Sequence, residues 1–180
     1  MIFNRIWAMP SADTFDIQPI GEFVKKYLRQ SKVSVDPFAR NKRWATYTND
    51  LNPDTAAEYH CDAAEFLEML KAQGVKSQLV IFDPPYSREQ VRAVYNGVGR
   101  HYGIQDSQDH STNWRKERDT IDQILEVSGI VLSFGWNSAG MGRERGYEII
   151  EILLVPHGGA HNDTICLAER KIGHQLSFEL

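Results

Sequence analysis

Apolar positions along the 180-residue chain switch between the helical period of 3.6 and the extended period of 2, and the switches come in a regular order. Residues 20–28 (IGEFVKKYL) are spaced as an amphipathic helix. A short strand over 32–35 follows and stops at Asp36-Pro37-Phe38. WATYT at 44–48 reads as a second strand, stopping at Asn49-Asp50-Leu51-Asn52-Pro53. Residues 58–61 read as a brief third, ending at Asp62. AAEFLEMLKAQ at 63–73 is helical, with Gly74 placed to cap it. Residues 78–82 are apolar on both faces, which predicts a central, parallel strand. Beyond it, 88–100 reads as a helix, 103–111 as a polar loop, 114–127 as a charged amphipathic helix and 129–134 as a buried strand. The runs 148–155 and 164–169, joined by PHGGAHND, predict an antiparallel hairpin. The expectation is one α/β domain over 1–180: a mostly parallel seven-stranded sheet with a C-terminal antiparallel hairpin and helices on both faces.

Composition narrows the class. Apolar content of 42% and aromatic content of 11% are globular values, and no internal repeat or linker divides the chain. No apolar run is long enough to span a bilayer, and MIFNRIWAMP lacks the regions of a signal peptide, so a cytoplasmic location is expected. Cys61 and Cys166 have no C-x-x-C spacing and read as free thiols. His157 and His161 sit in a turn without companion cysteines, so no metal site is expected. The net charge of −4 argues against binding polyanions by charge alone. Basic residues cluster locally, however, at Arg40-Lys42-Arg43, at Arg115-Lys116-Arg118 and at Arg143-Arg145.

Four aspartates fall just past predicted strand ends: Asp36, Asp50, Asp62 and Asp83. Open α/β sheets bind ligands at the carboxyl ends of their strands, so all four point toward one crevice. Taken singly, each is equally an ordinary helix cap or turn residue.

The order DPFA (36–39), NDLNP (49–53), CDAAEFL (61–67), DPPY (83–86) resembles the S-adenosylmethionine-dependent methyltransferases that act on the exocyclic N6 of adenine in DNA, in their compact bacterial and phage type. The resemblance runs from about Thr14 to Lys171 and implies a Rossmann-like methyltransferase fold. By it, Asp36, Pro37, Phe38 and Ala39 form the loop facing the methionine part of the cofactor. Thr14 and Phe15 belong to an N-terminal motif closing over that end. Asp50 takes the ribose hydroxyls and Leu51 packs on the cofactor's adenine. Asp62, with Ala63 beside it, accepts a bond from the cofactor's amino group. The chain departs from the family in one respect: members carry G-x-G after the aromatic residue, whereas 36–42 reads DPFARNK. Small Ala39 and left-handed-tolerant Asn41 are expected to make the turn instead.

The resemblance also assigns DPPY. The amine of adenine is a weak nucleophile because its lone pair is delocalised into the ring. The Asp83 carboxylate and the Pro84 carbonyl would accept its two hydrogens, Pro84 and Pro85 would stiffen the loop, and Tyr86 would stack on the base. A base within a duplex must first be flipped out. Cytosine N4 suits the same geometry. Cytosine C5 would need a nucleophilic cysteine after proline, which the chain lacks. Trp136 and Asn137, after the fifth strand, are candidates to stack on and bond a base, and Arg88 and Arg143 to contact phosphate. RNA in place of DNA, and a nucleic-acid-binding protein that has lost turnover, stay open as alternatives. No separate target-recognition domain is expected, since 103–115 is the sole candidate insertion. Specificity would then come from loose recognition, a partner or homodimerisation.

Overall fold

The computed structural model describes residues 1–100 and 114–173. Among them, seven strands form one sheet in the order β1-β6-β7-β5-β4-β2-β3. These are β1 (Ile2–Arg5), β2 (Ser34–Asp36), β3 (Tyr47–Thr48), β4 (Ser77–Phe82), β5 (Leu125–Gly135), β6 (Tyr147–Val155) and β7 (Thr164–Lys171). Only β7 runs against its neighbours, β5 and β6. The expected central parallel strand and terminal hairpin are therefore present. The described helices are α1 (Gln18–Leu28), α2 (Ala63–Ala72), α3 (Arg88–Gly97) and α4 (Arg115–Ile124).

Alternation along β4 splits the core in two. Leu79 and Ile81 pack with Ile20, Phe23 and Val24 of α1 on one face. Val80 and Phe82 pack with Phe66 and Leu67 of α2, Val91 of α3 and Ile121 of α4 on the other. Each such fully buried aliphatic side chain contributes about 2 kcal/mol. Helices thus cover both faces, as expected.

The count of seven agrees with the sequence, but its membership differs. The predicted strand over 58–61 is reduced to a single bridge, Asn49 to Tyr59. The Asn49 side chain replaces the ladder there: it donates to the carbonyls of Pro37 (3.1 Å) and Cys61 (3.0 Å) and accepts from the Cys61 N–H (3.1 Å). The strand over 44–48 shrinks to Tyr47–Thr48. Upstream of it, Ser34 and Thr46 exchange backbone-to-hydroxyl bonds of 3.1 and 3.0 Å in place of main-chain pairing. Trp44 instead stacks on Phe15, centroids 5.9 Å apart. The helix expected over 114–127 ends at Ile124, because Leu125 already pairs with Ser77. The chain then bulges through 126–129, with Ser128 at φ +68°, and rejoins the ladder at Ile130. The unpredicted strand is β1, which adds an edge beyond β6. The loop expected over 103–111 lies outside the described residues.

From the end of β5 the chain must return the length of the sheet to begin β6. It does so as a strap over 136–146 containing one 3-10 turn, Arg143–Arg145. Buried Glu169 on β7 pins the strap, accepting from the N–H groups of Met141 (2.7 Å) and Gly142 (3.1 Å). Burial pushes its carboxyl up and those two bonds oppose the shift. Gly140 is obligatory here: its φ is +50°, and a Cβ would lie 2.1 Å from the Glu169 Oε2.

Candidate functional site

The carboxyl ends of β2, β3 and β4 lie side by side, and three of the four predicted aspartates meet there. Asp36 ends β2 at 1% exposure. Its Oδ1 accepts from the Phe38 N–H at 3.0 Å. Its Oδ2 is buried and has no hydrogen-bond partner among the described residues. Burial raises its carboxyl well above the usual range, and the charges of Asp83 and Asp50 add to the shift, which sets all three in one field. Asp50 accepts from the N–H groups of Asn52 (2.8 Å) and Arg40 (3.1 Å). Burial raises its carboxyl too, partly offset by those bonds.

Asp62 stands apart. It is the N-cap of α2, with Oδ1 accepting from the Ala64 N–H (2.9 Å) and Oδ2 from the Tyr95 hydroxyl (2.5 Å). Each oxygen holds one internal donor, so Asp62 caps α2 and ties it to α3, the ordinary cap reading of an aspartate before a helix. Ala63 is the buried first residue of α2, and Leu51 is half-buried in the loop after β3.

Asp83 follows β4, and its Oδ1 accepts from the Tyr86 hydroxyl at 2.5 Å. The Thr14 hydroxyl lies close enough to act on both groups. Burial pushes the Asp83 carboxyl up to about 6, while the bond from Tyr86, the nearby Thr14 hydroxyl and the charge of Arg40 pull it down. Burial raises the Tyr86 phenol, and the neighbouring Asp83 charge adds to it. Thr14 is held by a 3-10 turn, Thr14–Asp16, that packs directly on α1. A Cβ on Gly21 would lie 2.7 Å from the Phe15 carbonyl oxygen. Phe15 itself is buried edge-on against Phe134 at 5.2 Å.

The loop after β2 solves its glycine-free turn differently from the expectation. Arg40, not Asn41, takes the left-handed conformation, at φ +50°. That conformation costs about 1 kcal/mol for a residue with a Cβ. Asn41 instead accepts from the Ala56 N–H at 3.0 Å. Buried Ala39 donates to the Asn49 carbonyl at 2.8 Å, and Pro37 is buried behind it. The Arg40 guanidinium crosses to the N-terminal segment and donates to the Ala12 carbonyl at 2.6 Å. Lys42 reaches Asp16 at 2.5 Å. These two members of the first basic cluster therefore clamp 12–16 over the strand ends.

Beside Asp83 opens a cleft of about 60 Å³, lined by Pro84, Pro85, Tyr86, Trp136 and Asn137 together with Phe82, Trp114, Arg118 and Ser133. Tyr86 and Trp136 meet edge to face at 5.7 Å. Phe38 packs edge-on against Phe82 (5.8 Å) and Trp114 (5.4 Å), joining this cleft to the β2 loop. The predicted pair Trp136 and Asn137 is thus brought to the DPPY residues. Arg88 and Arg143 are exposed and line no part of the cleft.

Sequence reasoning missed Asn49, Trp114, Arg118 and Ser133. Arg118 lies over the Phe82 ring at 5.8 Å, with its basicity lowered by burial and then by Arg145. Ser133 is 7% exposed and its Oγ has no hydrogen-bond partner among the described residues. The alternation of β5 would have found Ser133, because it is a polar residue on an inward position of GIVLSF. His157 is buried between the Ala8 carbonyl and the Thr164 hydroxyl, each 2.9 Å away. Cys61 and Cys166 are free thiols. No described helix is long and apolar enough to cross a membrane.

No family model and no curated protein matches the sequence. Solved structures do match the fold. SMU.776, complexed with SAH, aligns at TM-score 0.52 and 12% identity, covering 82% of this chain and 48% of that one. A SAM-dependent methyltransferase from Agrobacterium tumefaciens aligns at 0.52 and 12%, covering 84% and 60%. The yhhF protein of Escherichia coli aligns at 0.53 and 12%, covering 93% and 92%. The chain thus spans about half the length of SMU.776 but nearly all of yhhF. At such identities the likeness carries the architecture: an α/β fold shared with SAM-dependent methyltransferases.

Proposed function

We propose that the protein transfers a methyl group from S-adenosylmethionine to the exocyclic N6 of adenine in DNA. The observation that carries this reading is Asp83: a carboxylate just past β4, next to two prolines, half-buried beside a cleft walled by Tyr86 and Trp136.

The residues around the β2 and β3 ends suit the cofactor. The buried Asp36 Oδ2, without a hydrogen-bond partner among the described residues, can accept from a ligand bearing a positive centre and an amine. Asp50, on the next strand end, can still accept from a ribose diol through its remaining lone pairs. Thr14 and Phe15 belong to the clamped segment over the same strand ends. When bound, S-adenosylmethionine supplies an electrophilic methyl group. The bond from sulfur to that methyl would break as the bond to nitrogen forms, the thioether leaving neutral and the amine giving up one proton through Asp83 to solvent. Every other part of the reaction belongs to this chain. Asp83 and the Pro84 carbonyl accept the two amino hydrogens, which returns the nitrogen lone pair from the ring. The amine displaces the Tyr86 hydroxyl from Asp83 as it arrives, and the Tyr86 and Trp136 rings provide stacking surface. Positioning supplies most of the rate.

The second reading, a nucleic-acid-binding protein without turnover, draws on Arg40. Where the resembled family has glycine, this chain has a strained residue whose side chain bridges to Ala12. Tritiated-methyl transfer to DNA, RNA and free nucleosides, with Asp83→Ala as control, separates the readings. Label in DNA that disappears in the variant supports the first. Label in RNA alone moves the substrate. Cofactor binding by calorimetry without any transfer favours the second, and equal labelling by both proteins removes Asp83 from the chemistry.

A further inference from the structure

Among the described residues, β1 is the outer strand of the sheet and all four of its residues are exposed. Met1, Ile2, Phe3, Ile6, Trp7 and Met9 each expose between 48% and 83% of their surface. The Ile6 N–H donates to the Leu154 carbonyl (3.0 Å) and the Ala8 N–H to the Pro156 carbonyl (3.2 Å), so even-numbered backbone groups face β6. Alternation turns the N–H and C=O groups of Phe3, Arg5 and Trp7 outward. Such an edge is a template for another strand, and proteins usually blunt it with proline, a bulge or charged side chains. Arg5 is the one charge on this edge, and proline, lysine and bulges are the stronger devices. None of these interrupts residues 2–7, and no acidic residue occurs in 1–10.

We infer that this edge pairs with the same edge of a second copy of the chain, antiparallel about a two-fold axis at Asn4. A symmetric pair must run antiparallel, and outward groups on odd-numbered residues must face odd-numbered residues. Every register centred on a residue satisfies that rule, and those centred on Phe3, Asn4 and Arg5 overlap the most of residues 1–7. Centring on Arg5 sets Arg5 against Arg5, a like-charge clash. Centring on Phe3 sets Ile2 against Asn4 and Arg5 against Met1. Centring on Asn4 sets Phe3 against Arg5 on both sides, a cation facing a ring, with Ile2 against Ile6 and Met1 against Trp7. Complementarity of charge and polarity therefore selects the Asn4 register. The pairing joins the two sheets into one and leaves the two clefts opening at opposite ends, with no residue of either cleft in the interface.

Sedimentation of the full chain tests the state, and cysteine cross-linking tests the register. The full chain sediments as a dimer. Arg5→Pro removes an outward N–H and leaves the Asn4 and Ile6 bonds to β6 in place, so it weakens association at least about tenfold, with an unchanged melting curve at dilutions where both proteins are monomeric. In a Cys61→Ser background, Asn4→Cys forms a disulfide-linked dimer on mild oxidation. Ile6→Cys alone does not, but does when mixed with Ile2→Cys. A monomer at all concentrations overturns the inference, and one that co-sediments with anionic phospholipid vesicles assigns the strip to a membrane surface. A dimer indifferent to Arg5→Pro, or cross-linked equally by Ile6→Cys alone, overturns it as well.

Discussion

Two Asp-Pro loops end neighbouring parallel strands, DPFA after β2 and DPPY after β4, and they are prepared in opposite ways. Both aspartates have raised carboxyls, chiefly through burial. Asp83 already holds the Tyr86 hydroxyl, with Thr14 close by. Asp36 holds one backbone N–H, and its second oxygen has no hydrogen-bond partner among the described residues. Backbone stiffness differs as well. Pro84 and Pro85 fix their own φ angles, whereas Ala39-Arg40 turns by forcing a non-glycine residue to φ +50°. One loop is an acceptor whose guest must displace an internal donor. The other is an acceptor whose guest completes it.

Breaking each loop should therefore have a different signature. The largest effect is expected from Asp83→Ala: methyl transfer falls by roughly 10²- to 10³-fold while calorimetric cofactor affinity stays the same. Loss of affinity instead would mean the two loops are not separable. Next is Asp36→Asn, which weakens cofactor binding at least about tenfold. It also stabilises the fold, because folding raises this carboxyl and the native state then holds its proton more tightly than the unfolded chain. Stability attributable to Asp36 thus falls as pH climbs from the ordinary carboxylate range toward the raised value, and the amide escapes that loss. A higher thermal midpoint at pH 8, by a few degrees, with no gain at pH 4, is the expected record.

A smaller effect sharpens the DPPY side. Asp83 accepts an amine only when ionised, so kcat/KM, which reports the free protein, should drop as pH falls through about 6. In Tyr86→Phe the hydroxyl bond that lowers the Asp83 carboxyl is gone, so this acid limb should move to higher pH. A limb that stays put would show that the phenol does not hold the carboxylate. The smallest change is Arg40→Gly. Relief of the positive φ gains about 1 kcal/mol, offset in part by loss of the bond to Ala12. Differential scanning calorimetry should show a midpoint within about 3 °C of the parent.

The sequence was most readable where a residue's own chemistry decided its place. The apolar run of β4, Gly74 past the end of α2, and the hairpin through PHGGAHND needed no partner to be recognised. Side chains standing in for backbone were opaque, because a distant residue sets their role. Asn49 replaces a strand, Ser34 and Thr46 replace a ladder, and Leu125 leaves its helix for Ser77. The site followed the same division. Asp36, Asp50 and Asp83 converge as strand-end logic requires, and Trp136 and Asn137 join the DPPY cleft. Asp62 turned to capping because α2 begins one residue later and Tyr95 lies above it. Arg40 was unreadable, since its strain is set by Ala12 and Asp50 across the crevice.

The strap between β5 and β6 has a bearing on how this architecture can be extended. Glu169 grips it at Met141 and Gly142, whereas residues 136–139 remain exposed at the lip of the cleft. Lengthening a surface loop is thermodynamically inexpensive, each doubling adding only about 0.6 kcal/mol. A segment grafted between Asn137 and Ala139 would leave the anchored half undisturbed and hang directly beside the opening. This is a ready port for engineering selectivity, where new residues can be auditioned without rebuilding the sheet beneath.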